Sequence, residues 1–250
     1  MNKEKRILIT NDDGIISPGI IRLAEAAKAF GEVWVIAPRE QRSAASHCIS
    51  LHAPVDVYPA DFPVSGVKAF AVEGSPSDCV RVGSLSIMPE KPDVVLSGIN
   101  FGYNVASDVQ YSATVGAAFE AAFQGYAAIA LSEGTNCHEV TDAHLADVLS
   151  ETISLKALPG QIVNVNFPDC KIEEYRGIRR GTTVSEGMVF RDSYNKVKDL
   201  PGGGSSWMVE GKLTLDSEEG TDYRAVLEGC ISIGAVNNVG YPVIRREEWE

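Results

Sequence analysis

The stretch Arg6-Ile7-Leu8-Ile9-Thr10-Asn11-Asp12-Asp13-Gly14-Ile15-Ile16-Ser17-Pro18-Gly19-Ile20-Ile21-Arg22-Leu23-Ala24 decides the fold. Ile7-Leu8-Ile9 within Arg6–Thr10 is a short β-branched apolar run and reads as a buried strand. Asn11–Ser17 holds turn formers. Pro18 then stands where a first helical residue tolerates proline, with Ser17 as N-cap. Ile20, Leu23, Ala24, Ala27 and Phe30 recur at helical spacing as far as Gly31, and a second β-branched run, Val33–Ala37, follows at once. Strand, loop, helix and strand in that order start a parallel α/β sheet.

The same alternation continues outward. Pro38–Ser46 is a polar loop, Val67–Val72 a strand, and Gly74-Ser75-Pro76 opens a helix through Val80 and Leu85. Asp93–Leu96 is a buried strand and Ser97–Tyr111 a long loop, of a length that is usually functional. Thr114–Gln124 and Asp142–Ser154 are helices; Ala127–Leu131 and Gln161–Val165 are strands. After about Pro168 the pattern becomes two-residue alternation, in Thr182–Phe190, Ser206–Leu215 and Cys230–Val236, with the turn Pro201-Gly202-Gly203-Gly204. The expected organisation is an α/β core over 1–168 and extended hairpins with a C-terminal segment over 169–250. Projecting hairpins cannot bury both faces alone, so they are expected to pack on another subunit.

Composition narrows the function. At 250 residues with 44% hydrophobic and 22% charged residues the chain is an ordinary globular one. Lys and Arg total 22 against 34 for Asp and Glu, and the resulting net charge of −12 disfavours nucleic acid and anionic membranes as partners. No apolar stretch reaches the roughly 18–20 residues of a membrane span, and Ile7-Leu8-Ile9 after Met1–Arg6 is too brief for a signal-peptide core. A cytoplasmic location is expected. The five cysteines form no C-x-x-C pair and read as reduced core thiols, and the four histidines lack H-E-x-x-H, so a metal site would use oxygen ligands.

Ligands of open α/β sheets bind beyond the carboxyl ends of the strands. Four loops there carry unusual polar groups. Asn11-Asp12-Asp13-Gly14 places two carboxylates side by side at a turn; a divalent cation is one reason to keep them together, and an Asx turn or capping loop is the other. Pro38–Ser46 offers the Ser43 hydroxyl among small residues, and Ser97-Gly98-Ile99-Asn100-Phe101-Gly102-Tyr103-Asn104 offers Asn100. Taken singly, these are equally an ordinary surface loop and a glycine-rich turn. Tyr111-Ser112-Ala113-Thr114 starts a helix whose free N–H groups and dipole suit an anion, or whose Ser and Thr are plain caps. The coincidence of the four points to a metal-phosphate site.

These residues also resemble a known family. Asn11-Asp12-Asp13-Gly14 with Pro18-Gly19-Ile20, Ala37-Pro38 with Arg42-Ser43 and Ser46, and Gly74-Ser75-Pro76-Ser77-Asp78-Cys79-Val80 are similar to blocks of the survival-protein SurE family. So are Pro92-Asp93, Ser97-Gly98-Ile99-Asn100 with Gly102 and Asn104, Asp108-Val109, and Tyr111-Ser112 with Thr114-Val115. Asn164-Val165-Asn166 with Pro168, and Gly220-Thr221-Asp222-Tyr223 with Ala225-Val226, extend the similarity over nearly the whole chain. The resemblance implies a divalent-metal-dependent phosphomonoesterase acting on nucleoside 5′- and 3′-monophosphates, a 5′-nucleotidase of acid-phosphatase-like character. It implies one Mg²⁺ or Mn²⁺ per subunit, held by Asp12, Asp13, Ser43 and Asn100. The implied fold is a Rossmann-like three-layer core with a mostly parallel sheet and a C-terminal β-hairpin arm exchanged between subunits, giving a homodimer or tetramer.

On this reading Asp12 and Asp13 are catalytic, and the ion keeps positions open for water and a phosphate oxygen. Ser112 and Thr114 cradle the phosphate while Asn11, Gly14 and Asn104 shape the pocket. Members of the family usually carry glycine at the positions of Ala44 and Ala113; an added methyl would strain the loop if either needs positive φ. Two rivals remain in view. A phospho-receiver domain needs an acceptor Asp at the end of a later strand, whereas Asp93 begins its strand. A non-catalytic nucleotide-binding or scaffold protein of the same fold draws its support from Ala44 and Ala113.

Overall fold

The switch between helical and two-residue periodicity becomes a layered α/β structure. The computed structural model describes residues 4–155 and 158–237. Its strands are β1 (Lys5–Thr10), β2 (Gly31–Pro38), β3 (Val57–Pro59), β4 (Lys68–Val72), β5 (Val94–Phe101), β6 (Ala127–Glu133), β7 (Gln161–Phe167), β8 (Ile178–Thr182), β9 (Phe190–Asp199), β10 (Ser205–Leu213) and β11 (Ile231–Asn237). Nine of them form one sheet in the order β3-β4-β2-β1-β5-β6-β7-β11-β8, and β9 pairs with β10 in a separate antiparallel hairpin. Every neighbouring pair from β4 to β7 is parallel. β3 on β4 and β11 on β7 are antiparallel, while β8 runs parallel to β11. Chain order along this sheet reverses between β1 and β5, which makes the gap beyond their carboxyl ends the place for a ligand.

Helices cover both faces. On one, α1 (Pro18–Ala27) and α5 (Glu139–Thr152) bury Ile20, Leu23, Val148 and Leu149 against Ile7, Ile9, Val33 and Val35. On the other, α2 (Pro76–Val82) and α4 (Ala113–Phe123) bury Cys79, Val80, Val115 and Ala118 against Leu8, Trp34 and Ile36. Successive residues of a strand point to opposite faces, so runs such as Ile7-Leu8-Ile9 must be apolar throughout. Two short helices, α3 (Asp108–Tyr111) and α6 (Asp222–Leu227), sit in the connections, and Val105, Ala106, Val189, Tyr223 and Val226 pack together beneath the arm. Among the described residues, no helix is long and apolar enough to cross a membrane.

The expected core elements appear with shifted ends, and four differences matter. β5 continues to Phe101, where the sequence predicts a loop from Ser97. Ser97 pairs with both Thr10 and Ala130, and after a register shift Asn100 pairs with Ser132, so this is a bulged strand buried between two neighbours. A β-carbon on Gly98, at φ +145°, would lie 2.3 Å from the Leu131 carbonyl oxygen, which is why a glycine interrupts the strand there. Secondly, Thr182–Phe190 is not a strand; β8 ends at Thr182, and β9 starts at Phe190. Thirdly, β3 and α6 carry too few periodic residues to be read from sequence. Fourthly, the sheet carries past Pro168, because β8 and β11 join it, and the projecting part is the β9–β10 hairpin. The C-terminal part of the 169–250 segment, 238–250, lies outside the described residues.

Candidate active site

The turn after β1 is braced from inside. Asn11 is buried, and its amide nitrogen donates to Gly14 O at 2.9 Å and to Ser17 Oγ at 2.8 Å. The Ser17 hydroxyl, expected to cap α1, is used by Asn11, and no side-chain cap bond to the helix forms. Gly14 takes φ +96° against the backbone of Arg39–Gln41, a conformation that favours glycine. Gly19 lets α1 lie on β5, since a β-carbon there would meet Ile99 O at 2.1 Å. Neither Asn11 nor Gly14 faces the cavity described next; both hold the aspartates in place.

A cavity of about 200 Å³ opens beyond β1, β2 and β5, and Asp12, Ser43, Asn100, Asn104 and Ser112 line it. Asp12 is buried and accepts from Thr114 at both oxygens, from Oγ1 at 2.8 Å and from the main-chain N–H at 3.2 Å. Burial, then the charge of Asp13, pushes its carboxyl up to about 6, against the opposing pull of the Thr114 hydrogen bonds. Asp13 is half-buried beside it; Oδ2 accepts from Phe101 N at 3.0 Å and Oδ1 from Gln41 Nε2 at 3.4 Å. Burial also raises the Asp13 carboxyl, the two hydrogen bonds lower it, and Glu133 adds repulsion. Among the described residues neither aspartate has an ion-pair partner. Gln41 Nε2 reaches Ser43 Oγ as well, at 3.1 Å, which ties the second loop to the first. Asn100 donates its amide nitrogen to Gly102 O at 2.7 Å, so its carbonyl oxygen is the end left to act as a ligand.

Ser112 caps α4 by accepting from Val115 N at 3.1 Å while lining the cavity, so the positive end of that helix faces it. Thr114 lies one layer down and acts on Asp12 instead of on open space. Asn104 lines the wall, but its main chain and amide are held by Asn166, Asn164 and Ser132. Ala44 has φ +58° and Ser46 φ +50°, so the methyl of Ala44 does sit in the strained left-handed region. Ala113 is the buried first residue of α4 and is not among the left-handed positions, so its methyl demands no such backbone. The loop holds its shape through Ser46, whose N–H donates to Tyr111 O and whose hydroxyl donates to Gln110 O, both at 2.9 Å.

Sequence reasoning missed Gln41, Phe101, Asp108, Tyr111 and Glu133. Gln41 looks like any loop residue until the fold sets it between Asp13 and Ser43. Asp108 and Tyr111 line the cavity from α3, which the pattern hides inside a long loop. The thiols are not all in the core: Cys79 and Cys230 are buried, Cys137 and Cys170 half-buried, and Cys48 exposed. Among the described residues no three His, Cys, Asp or Glu side chains cluster as a metal site; the side chains that meet here offer the carboxylates of Asp12 and Asp13 and the neutral oxygens of Ser43 and Asn100.

The match to known proteins covers this architecture. A family model described as survival protein SurE matches residues 7–189, which hold all four loops of the site. The chain belongs to the SurE family. The SurE protein named 5′-nucleotidase from Geotalea daltonii is 40% identical over 237 residues, covering 91% of each chain. Its namesake from Geobacter sulfurreducens is 39% identical over 233 residues, covering 91% of this chain and 86% of its own. The crystal structure of the SurE protein from Aquifex aeolicus aligns at a TM-score of 0.77 and 32% identity, over 93% of both chains.

Proposed function

We propose that the chain is a divalent-metal-dependent nucleotidase that hydrolyses nucleoside 5′- and 3′-monophosphates to nucleoside and phosphate. One observation carries the reading: at the switch point of the sheet, the buried Asp12 lines a small cavity with Ser43, Asn100 and Ser112 at the start of α4, the half-buried Asp13 stands next to it in the chain, and neither carboxylate has an ion-pair partner among the described residues. Two adjacent carboxylates, one of them raised to about 6, form a site for a cation, and the neutral oxygens of Ser43 and Asn100 suit a hard one. Asp12, Asp13, Ser43 and Asn100 would hold Mg²⁺ or Mn²⁺, one per chain. When bound, such an ion offsets phosphoryl charge and supplies Lewis acidity.

The chain's own groups do the rest. Thr114 fixes both oxygens of Asp12, and Phe101 N–H with Gln41 fixes Asp13, so neither carboxylate reorients during turnover. The Ser112 hydroxyl accepts from Val115 N and keeps its own proton for a phosphoryl oxygen, with the dipole of α4 behind it. Asn104 and Tyr103 wall the cavity, and Asp108 on α3 brings a third carboxyl to its rim, raised by burial.

The proposal extends to assembly and place. Every residue of β9 is exposed, and Tyr194, Val197, Trp207 and Met208 put apolar surface on both faces of the arm, which a second copy of the chain would cover by exchange. A dimer or tetramer is therefore part of the reading, as is a cytoplasmic location, which suits five cysteines outside any disulfide. The test is phosphate release from 5′- and 3′-nucleoside monophosphates by chelated protein with Mg²⁺ or Mn²⁺ restored, beside Asp12→Asn. Metal-dependent release lost in the variant is the expected result. Nucleotide-dependent stabilisation with no phosphate released from any of them would instead make the chain a binding protein.

A further inference from the structure

A second cavity, of about 490 Å³, shares Phe101 with the first and is also lined by Asp13, and its size is in the roughly 300–1,000 Å³ range of small-molecule sites. Its lining combines apolar groups, Ile99, Pro18 and Phe101, with the polar Arg22, Glu133 and His138. Phe101 lines both cavities and is 59% exposed, an uncommon setting for a phenylalanine beside a polar site. Its ring lies 6.2 Å from that of His138 at 52°, too close for a third ring between them, so a flat ligand would stack on the other face.

Glu133 supplies the second, independent sign of a ligand. The residue is 2% exposed at the end of β6; one carboxylate oxygen receives Arg22, which also reaches Asp142 Oδ1 at 2.6 Å. The other, Oε2, belongs to a side chain that lines the cavity; the atom itself is buried and receives no hydrogen bond. His138 Nδ1 lies 3.2 Å from it but out of hydrogen-bond alignment. A buried acceptor left open in this way is costly unless a donor arrives.

We propose that this cavity takes the nucleoside half of a nucleoside monophosphate, with the base stacked on Phe101 and a hydrogen-bond donor of the nucleoside, the ribose 2′-hydroxyl or the base amine, given to Glu133 Oε2. The inference rests on the nucleotidase reading for the position of the phosphate beside Asp12 and Asp13. It makes Phe101 and Glu133 the residues that separate nucleotides from other phosphomonoesters.

The experiment measures KM for AMP, 2′-deoxy-AMP, IMP and ribose 5-phosphate on metal-reloaded wild type, Phe101→Ala and Phe101→Tyr, together with AMP binding by calorimetry. Base–aromatic stacking is strong enough that Phe101→Ala is expected to raise KM for AMP about 10-fold relative to ribose 5-phosphate, with Phe101→Tyr restoring the wild-type ratio. A loss specific to 2′-deoxy-AMP identifies the ribose as donor, and one specific to IMP identifies the base amine; wild type indifferent to both removes Glu133 from the site. Equal effects of Phe101→Ala on AMP and ribose 5-phosphate, or none on either, overturn the subsite. Should wild type release no phosphate yet bind AMP in a Phe101-dependent way, the nucleotidase reading falls and the subsite stands. AMP neither bound nor hydrolysed removes both.

Discussion

Burying Asp12 as an anion costs stability, and replacing it with Asn tests by how much. Its carboxyl is raised from 3.8 to about 6, so between those values the folded chain binds a proton that the unfolded chain releases. Stability from this group is therefore fully present below about pH 4 and lost as pH rises through about 6. At about 1.36 kcal/mol per pH unit the ionised carboxylate costs about 3 kcal/mol at pH 8. Asp12→Asn removes that cost but leaves one oxygen for two Thr114 donors, a loss of about 1–2 kcal/mol. In chelator at pH 8 the variant should gain a net 1–2 kcal/mol, about 2–8 °C in Tm for a chain of this size. Near pH 4 wild-type Asp12 is protonated, and the variant should then be the less stable by about 1–2 kcal/mol. Thermal unfolding of both proteins across pH 4–8 reads the crossing directly. A variant less stable than wild type at pH 8, or a difference that does not change with pH, would refute the reasoning.

Two other outcomes follow from the loops. Ala44→Gly should stabilise the chain by about 0.5–1 kcal/mol, the left-handed strain of alanine at φ +58° less the chain entropy of glycine, seen as a small rise in Tm. A fall in Tm would mean that the methyl packs usefully. Thr114→Val removes the hydroxyl that lowers the Asp12 carboxyl, so the pH at which Mn²⁺ uptake is half-complete should move upward, as protons compete longer for the ligand. An unchanged pH profile would detach Thr114 from Asp12.

The core was legible because its signal is local. Ile7-Leu8-Ile9 and Val33-Trp34-Val35-Ile36 are apolar on both faces as strands covered on both sides must be, and Pro18 marks the start of α1. Adjacent aspartates at a turn announced themselves for the same reason. What escaped depends on neighbours in space. Ser97-Gly98 reads as a turn by composition, and only the strands on either side make it part of a sheet. Thr114 was placed as a phosphate contact because it begins a helix, yet its hydroxyl turns inward to Asp12. Gln41 and Glu133 carry no periodic or motif signal; their meaning comes from a loop and a strand end brought beside Asp13 by the fold.

The central claim is that Asp12, Asp13, Ser43 and Asn100 form one cation site. It is tested most directly by titrating chelated protein with Mn²⁺ and following free ion by electron paramagnetic resonance, for wild type and for Asp12→Asn, Asp13→Asn and Asn100→Ala. The account predicts one tight equivalent per wild-type chain, lost with either aspartate and at least 10-fold weaker without the Asn100 oxygen, a difference of about 1.4 kcal/mol or more. Stoichiometric Mn²⁺ binding that persists unchanged in both aspartate variants would contradict it.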